Sequence, residues 1–314
     1  MSLGAADVAR FVAFRPRLEA IAYRLLGSAA EAEDAVQETF LRWQAAEVER
    51  IEVPEAWLTK VLTNLCLNQL ASARARRETY VGQWLPEPLL AGDPMLGPAE
   101  TAEQRESLSY AVLALMERLS PPERAVYVLR AAFGYSHREL AEVLDLSEAA
   151  CQQLLHRAKK HIAGAKVRTE IDEGAARRVV EAFLAAAASG RTDSLVALLT
   201  ADAISIGDGG GKVPARTKAF EGATAVARFI RGLFKPSPAK RALTGGATEI
   251  YAWTANGDPA VVAVVDGRVI GVMCLQVTAD GIAAIRAQAN PDKLRRATEQ
   301  FAARDHGQPL LEGF

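Results

Sequence analysis

Hydrophobic positions recur with helical spacing along the first half of the chain and with the spacing of strands along the second half. The first helical stretch keeps one face apolar through Phe11, Phe14, Leu18, Ile21 and Leu25. Strand-like runs, alternating or continuously apolar, occupy residues 202–207, 248–254, 259–265, 268–277 and 281–288. This order predicts a multidomain protein in which two all-α domains precede an α+β domain whose curved sheet wraps around a layer of helices.

Prolines and glycines divide the chain into segments. Those between 81 and 104 cannot continue a helix and indicate an extended linker. Within it, the sequence WLPEPL (84–89) is too apolar for a solvated spacer, so we expect Trp84, Leu85 and Leu89 to dock onto a domain surface. We predict a helical domain over 5–80, the linker over 81–104, a second helical domain over 105–168, an α+β domain over 172–294 and a tail over 295–314.

The second helical domain contains two short helical patterns joined by a turn at Asp145, which is typical of a helix-turn-helix. Ser136 and Glu139 form a capping box at the start of the first helix, and Ser147 caps the second. The second helix carries amides and cations on its polar side: Gln152, Gln153, His156, Arg157, Lys159 and Lys160. Amides and guanidinium groups pair with base edges and lysines with phosphates, so the pattern favours DNA binding. The alternative is a solvated amphipathic hairpin.

Composition and charge limit the class of protein. The 314 residues are half hydrophobic and carry a net charge of −1, which argues against a protein that coats nucleic acid indiscriminately. Charge is nevertheless uneven, since residues 31–38 are acidic without a basic residue and 156–168 are basic without an acidic one. Three distant cysteines without zinc spacing indicate reduced thiols in a cytoplasm. The most apolar stretch, 259–277, is interrupted by Asp266 and Arg268, so we expect no membrane span and no secretion.

Two polar motifs interrupt the α+β domain. The glycines of DGGGK (208–212) suggest a phosphate loop, but Val213 stands where such a loop needs Ser or Thr and the spacing is one residue short. We therefore expect a tight loop with positive backbone φ angles, with Lys212 bonded to a neighbour. In NPDKL (290–294), Asn290 and Pro291 predict the start of a helix.

Taken together, these segments resemble an RNA polymerase sigma factor of the extracytoplasmic-function (ECF) type, in the sigma-70 superfamily. LLGSAAEAEDAVQETFLRW (25–43) resembles the polymerase-binding helix of region 2, and PEAWLTKVLTNLCLNQLASARARR (54–77) resembles its promoter-melting helix. Residues 108–165 resemble region 4 with its helix-turn-helix. WLPEPL, DGGGK and NPDKL are similar to motifs of the subgroup that carries a SnoaL-like C-terminal extension.

The resemblance implies partners and four groups of site residues. The partners are promoter DNA and core RNA polymerase. The polymerase would be bound at the coiled coil of its largest subunit and at the polymerase flap region. The candidate contacts to the coiled coil are Glu33, Asp34, Glu38 and Trp43. Those to the unpaired minus-ten strand are Trp57, Lys60, Asn64, Asn68, Arg74, Arg76 and Arg77. Those to the minus-thirty-five element are Ser147, Gln152, Gln153, His156, Arg157, Lys159 and Lys160. The candidate regulatory contacts between domains are Trp84, Leu85, Pro86, Asp208, Gly209, Gly210, Gly211, Lys212, Asn290, Pro291, Asp292 and Lys293.

Some alternatives stay open at this point. The acidic residues are also consistent with a solvated helix face, Trp57 with a core position, and many relatives carry Asp where this chain has Asn68. The α+β domain could bind a small-molecule ligand as a sensor, or it could be a vestigial isomerase or cyclase. No acid–base pair stands out in it, and its one histidine, His306, lies in the tail, so we expect no catalytic residues, metal or cofactor. A repressor that binds duplex DNA unaided is the remaining alternative.

Overall fold

The computed structural model describes residues 4–78, 80–97, 101–163, 172–215 and 218–313, with the backbone alone for 73–78, 102, 103, 173, 240 and 243. The chain forms two compact units. The first unit combines residues 1–79 with 92–165, and the second combines 80–91 with 166–314. The first part of the predicted linker therefore belongs to the C-terminal unit.

The first unit is entirely helical in its described residues. Its helices are α1 (Ala5–Leu26), α2 (Ala29–Ala45), α3 (Pro54–Glu78), α4 (Ala102–Leu108), α5 (Tyr110–Met116), α6 (Pro121–Tyr127), α7 (His137–Leu144) and α8 (Glu148–Ile162). A π-helical segment, Val128–Ala132, continues α6, and short 3-10 turns occupy Val48–Arg50 and Pro94–Leu96. Gly27 ends α1 with a φ of 69°, a conformation that glycine adopts without steric cost.

Capping side chains fix where the helices of the first unit begin. Ser120 with Glu123 and Ser136 with Glu139 form capping boxes at α6 and α7, and the Ser147 hydroxyl accepts from the N–H of Ala150 at the start of α8. These side chains satisfy N–H groups that have no partner within the helix. The predicted starts of α7 and α8 are confirmed.

Buried arginines link the two helical parts of the first unit. Arg124 Nε of α6 donates to the carbonyl of Arg24 in α1, and Arg24 Nη2 donates to the carbonyl of Leu96. Arg124 also pairs with Glu117 at 2.6 Å. Burial lowers the pKa of Arg24 to about 10 and that of Arg124 to about 9. These polar contacts join α1, the turn at Pro94–Leu96 and α6 within the first unit.

The second unit is an α+β domain, which confirms the predicted fold class. Its elements are α9 (Glu173–Ala188), α10 (Thr192–Val196), β1 (Leu199–Asp208), β2 (Phe220–Glu221), α11 (Ala223–Leu233), α12 (Pro238–Thr244), β3 (Glu249–Ala255), β4 (Asp258–Val265), β5 (Arg268–Thr278), β6 (Gly281–Gln288), a 3-10 turn (Pro291–Lys293) and α13 (Arg295–Ala302). The sheet order is β2-β1-β6-β5-β4-β3. β1 runs parallel to β6, and the other neighbouring strands are antiparallel.

Apolar side chains of the helices and the sheet form the core of this domain. Phe183 of α9 and Ile230 of α11 are fully buried in one cluster with Leu275 and Ile285 of the sheet. Burial of such side chains removes apolar surface from water and stabilises the layered arrangement.

The segment expected to be a tail is part of the domain. Phe301 of α13 is buried and packs edge-on against Tyr251 of β3, with ring centroids 4.9 Å apart. Farther on, the N–H of Leu310 donates to the carbonyl of Ile250 at 2.7 Å. Residues 295–313 therefore complete the domain, because an amphipathic helix buries its apolar face there.

Candidate nucleic-acid interface and linker anchor

Helix α8 presents its polar side chains outward from a helix-turn-helix. Its buried positions are Cys151, Leu154, Ala158 and Ile162. Its exposed positions include the six polar side chains predicted from the sequence, Gln152, Gln153, His156, Arg157, Lys159 and Lys160. Asp145 forms the turn between α7 and α8 with a φ of 54°. The structure therefore brings the predicted minus-thirty-five residues together on one helix, while the side chain of Ser147 serves as its cap.

The exposed side chains of α8 differ in direction. At 3.6 residues per turn, Gln153, His156 and Lys160 lie opposite the buried stripe. Gln152 and Lys159 lie on one flank, and Arg157 lies on the other flank, next to α6. The three central side chains thus have the position from which a groove-bound helix reaches base edges.

Arg157 is held by a carboxylate that sequence analysis missed. Arg157 Nε donates to Glu123 Oε1 at 3.1 Å, and the Glu123 side chain is only 8% exposed. The other oxygen, Glu123 Oε2, accepts from the N–H and the hydroxyl of Ser120 and lies 4.0 Å from His161 Nδ1. Burial alone would raise the pKa of Glu123, but the Ser120 hydrogen bonds, His161 and Arg157 together hold it below its ordinary value. The capping box of Ser120 and Glu123 is recognisable in the sequence. The ion pair between Glu123 and Arg157 is not.

Helix α3 carries the predicted minus-ten residues. Lys60 Nζ donates to the carbonyl of Glu142 at 3.0 Å and to the carboxylate of Asp145, so α3 and the helix-turn-helix are in contact. Asn64 is partly exposed and Asn68 is exposed. The side chains of Arg74, Arg76 and Arg77 lie outside the described residues.

Two tryptophans of the first unit pack against each other. Trp43 is fully buried, donates through Nε1 to the carbonyl of Asp7 at 3.3 Å, and lies 5.5 Å from the ring of Trp57. The assignment of Trp43 as a polymerase contact was therefore wrong, because the side chain is part of the core. Trp57 is half-buried and contributes to the same packing.

A shallow groove lies between α1 and α2. Its volume is about 380 Å³, and its lining includes Val8, Val12, Glu33 and Asp34. Val12 is 60% exposed and contributes apolar surface to this groove. Glu38 lies farther along α2 and pairs with Arg42 at 3.0 Å. The groove therefore combines apolar surface with the carboxylates of Glu33 and Asp34 and with one cation, Arg15.

At the end of β1, Asp208 binds the linker. Its side chain is fully buried, and its Oδ1 accepts from the Tyr80 hydroxyl at 2.7 Å and from the Gly210 N–H at 2.9 Å. Its Oδ2 accepts from the Leu85 N–H at 2.9 Å, from Lys293 Nζ at 2.7 Å and from Gln288 Nε2 at 3.2 Å. Five donors compensate for the burial of this carboxylate.

Lys293 contacts the linker from a second direction. Its ammonium donates to the carbonyl of Leu85 at 2.8 Å. It also lies 4.0 Å from the ring centroid of Trp84 and 4.8 Å from that of Tyr80, within the range of cation–π attraction. Burial raises the pKa of the Tyr80 hydroxyl, and its hydrogen bond to Asp208 raises it further, so the hydroxyl stays a donor at neutral pH.

The DGGGK and NPDKL motifs meet beside this lysine. Asn290 Nδ2 donates to the Tyr80 hydroxyl at 2.9 Å, and Lys212 pairs with Asp292 at 2.7 Å on the surface. Gly210 and Gly211 have φ angles of 60° and 72°, which confirms the predicted tight loop, and Lys212 has the predicted neighbour. A Cβ on Gly209 would lie 2.1 Å from the carbonyl oxygen of Val213, so this position also requires glycine.

NPDKL begins only a short turn. Asn290 caps Pro291–Lys293, a single 3-10 turn, and the α-helix predicted there starts later, at Arg295. The turn places Asp292 and Lys293 on opposite sides, one at the surface pair and one at the buried pair. We call Asp208, Gln288, Asn290 and Lys293 the linker anchor.

The rest of the linker extends the edge of the sheet. The N–H of Leu89 donates to Asn256 Oδ1 at 3.0 Å, and the N–H of Ala91 donates to the carbonyl of Thr254 at 2.8 Å. Gln288 Nε2 holds the carbonyl of Pro86 at 3.1 Å. Leu85 and Leu89 are buried and Trp84 is half-buried, so the expected docking of WLPEPL takes place on the C-terminal domain. Tyr80, Gln288 and Asn256 were missed, because they pair over more than 100 positions of sequence.

The described residues hold neither a metal-binding cluster nor a membrane-spanning helix. They contain no group of three or more His, Cys, Asp and Glu side chains arranged to hold a metal ion. In the same part of the chain, no helix has the length and apolarity needed to cross a membrane.

Comparisons with known proteins agree with these observations. Residues 11–76 match the model for sigma-70 region 2, and residues 109–162 match that for sigma-70 region 4. The ECF RNA polymerase sigma factor SigJ of Mycobacterium tuberculosis is 38% identical over 96% of this chain and 99% of its own length. The probable ECF sigma factor SigI of the same species is 31% identical over 90% of this chain and 92% of its own length. The crystal structure of SigJ matches with a TM-score of 0.69 at 35% identity, covering 91% of this chain and 97% of SigJ.

Proposed function

The chain belongs to the ECF RNA polymerase sigma factors, and we propose that its anchored linker controls the spacing of the two DNA-binding domains. As a sigma factor it binds core RNA polymerase, recognises promoters and initiates transcription. The proposal concerns how the residues described above divide this work. The observation that carries it is the burial of Asp208 against five donors, two of which belong to residues 80–91.

We assign polymerase binding to α2 and the adjacent groove. Glu33, Asp34 and Glu38 offer carboxylates, and Val12 offers apolar area for the coiled coil of the largest subunit. Complementary charge would increase the rate of docking and fix its register, while the apolar contact would supply affinity. As the family resemblance implies, the second helical domain would bind the flap region.

We assign promoter recognition to α3 and α8. Lys60, Asn64 and Asn68, with the arginines at 74, 76 and 77, would follow the unpaired minus-ten strand, where cations and polar side chains bind the backbone and extruded bases. Gln153 and His156 would reach bases of the minus-thirty-five element, and Lys159 and Lys160 its phosphates.

The linker anchor would limit how far these two surfaces can separate. With residues 80–91 held on the C-terminal domain, the connection from there to α4 is residues 92–101, about 35 Å when fully extended. When residues 80–91 are released from the C-terminal domain, the connection between α3 and α4 consists of residues 79–101, about 80 Å when extended. The SnoaL-like domain would therefore act as a regulator that restricts the reach of its own sigma domains rather than as an enzyme.

A small molecule could act on the same linker. A cleft of about 590 Å³ at the edge of β3 is lined by Trp253, Thr254, Arg177 and His306, and by Ala91 at the end of the anchored linker. A ligand there would contact the linker directly, whereas the space between the sheet and the helices is packed with apolar side chains. A melting temperature that rises with ligand concentration would support this second function.

Reconstitution with core polymerase tests the assignment of roles. We expect the purified chain to bind promoter DNA in the presence of core polymerase, with start sites downstream of a common pair of elements, and not to bind it alone. Binding of duplex DNA by the chain alone, with no effect of core polymerase, would instead indicate a repressor.

A further inference from the structure

A carboxylate at the start of α6 forms an ion pair with the recognition helix α8. Glu123 lies in the first turn of α6, and Arg157 lies 34 positions later on the flank of α8. We propose that Glu123 is a positioning residue for DNA binding: it holds Arg157 through Nε so that the terminal guanidinium nitrogens face a phosphate at the wall of the groove. The proposal rests on the proposed role of α8 in promoter recognition and adds a residue that does not itself touch DNA.

The carboxylate is a fixed point in the fold. Ser120 bonds to one oxygen through both its N–H and its hydroxyl, at 2.9 and 2.7 Å. The next residue, Arg124, is buried and bonds to α1 through the carbonyl of Arg24. The Glu123 carboxylate is therefore held in one position. Arg157, whose side chain is 58% exposed, loses conformational freedom when it binds to this carboxylate.

The geometry suits a phosphate better than a base. The ion pair uses Nε of Arg157, and the two terminal nitrogens are the donors with which a guanidinium binds a planar or tetrahedral anion in a bidentate way. Arg157 lies beside, not opposite, the buried stripe of α8, whereas Gln153 and His156 occupy the central positions. A flanking arginine meets the sugar–phosphate wall of a groove that the central side chains enter. We therefore infer that Arg157 contacts a phosphate, and not the base edge expected from the sequence.

The proposal predicts a change in DNA affinity opposite to the change expected if Glu123 acted only by repelling DNA. Removing a negative charge near DNA strengthens binding if the charge acts only through its field. If Glu123 positions Arg157, the variant Glu123→Gln weakens binding, because Arg157 must be ordered when the complex forms. Glutamine retains the capping box, so α6 keeps its start.

The test is a double-mutant cycle of Glu123→Gln and Arg157→Ala in the full-length chain with core polymerase on promoter DNA over a range of salt concentrations. We expect Glu123→Gln to weaken binding about three- to tenfold, and Arg157→Ala to weaken it at least as much with a salt slope smaller by about one contact. In the Arg157→Ala background, Glu123→Gln should cause no further loss. Arg157→Lys, at an exposed position that is safe for folding, should behave like Glu123→Gln.

A matched control is available in the same domain. Glu139 closes the capping box of α7 with Ser136, and Glu139→Gln removes the same charge without a pairing to α8. We expect Glu139→Gln to leave binding unchanged or slightly stronger. Unchanged or stronger binding with Glu123→Gln, or an equal loss with and without Arg157, would overturn the positioning role alone. Unchanged binding with Arg157→Ala would instead refute the placement of Arg157 at DNA, which belongs to the proposed function.

Discussion

Asp208 and Lys293 form a buried ion pair, 2.7 Å between Oδ2 and Nζ, in which the carboxylate is fully buried and the lysine side chain is 11% exposed. Both partners also bond to the linker, at the N–H and the carbonyl of Leu85. The same two motifs supply a second pair, Lys212 with Asp292, whose side chains are more than half exposed. One pair is thus part of the linker anchor, and the other is a surface contact between the same loops.

These two pairs should differ in their contribution to stability. Lys293→Ala leaves the Asp208 carboxylate buried without its counter-charge, so we expect the free energy of unfolding of the C-terminal domain to fall by about 3 kcal/mol or more. Lys212→Ala removes an exposed pair and should cost less than about 1 kcal/mol. Denaturant unfolding followed by the fluorescence of Trp84, which stacks on Lys293, measures both. Equal losses for the two variants would contradict the burial of the anchor.

The loop of DGGGK requires glycine for two reasons, which can be separated. Gly210 has a φ of 60°, and a Cβ there would lie 2.3 Å from Asn290 Nδ2. Gly245 has a φ of 82° with nothing within 4 Å, so Gly245→Ala reports the backbone strain alone, about 1 kcal/mol. We expect Gly210→Ala to cost clearly more and to shift the fluorescence of Trp84. A loss no larger than that of the Gly245 variant would show that the contact with Asn290 is unimportant.

The contact between α3 and the helix-turn-helix should restrain minus-ten binding slightly. Asp145→Asn preserves a residue that tolerates positive φ and removes the ion pair with Lys60. Because the pair is exposed, we expect a gain of about two- to fivefold in affinity of the polymerase complex for an unpaired minus-ten oligonucleotide. Glu142→Gln is the control, since it removes the same charge while its carbonyl still accepts from Lys60. An identical gain in the control would mean that charge alone is responsible.

Acid should weaken the first unit in part through Glu123. Its pKa in the folded chain is lower than the ordinary value of 4.5, so the ionised form stabilises the fold above that value. This stabilisation disappears as the pH falls through the lowered pKa. The melting temperature of the chain should therefore exceed that of Glu123→Gln at pH 7, and the difference should shrink as the pH falls below about 4.5. A difference that is constant from pH 7 to pH 3 would mean that the carboxylate forms no stabilising contact.

The pattern of apolar and polar residues predicts much of the secondary structure. Five strands lie within a few residues of their predicted bounds, because the alternation of apolar and polar positions reflects burial within one element. The parallel pairing of β1 with β6 and the short β2 were missed, since pairing between distant strands leaves no period in the sequence.

The candidate sites were predicted less completely, for the same reason. The outward face of α8 follows from helical spacing, and the structure agrees with it. Trp43 was assigned to a surface, because the sequence gives no sign that Trp57 and the start of α1 cover it. Glu123, Tyr80 and Gln288 act through partners that are distant in sequence, and such pairs can be found only in the folded chain.

The central claim is that the linker anchor sets the spacing of the two DNA-binding domains, and a promoter series tests it most directly. Transcription by reconstituted polymerase would be measured on templates that differ only in the distance between the minus-thirty-five and minus-ten elements, with Asp208→Asn and Lys212→Ala as test and control. We predict a sharp optimum for the unaltered chain and the control, and a flatter dependence for Asp208→Asn, whose linker has lost its charged partner. The same sharp optimum for all three chains would contradict the claim.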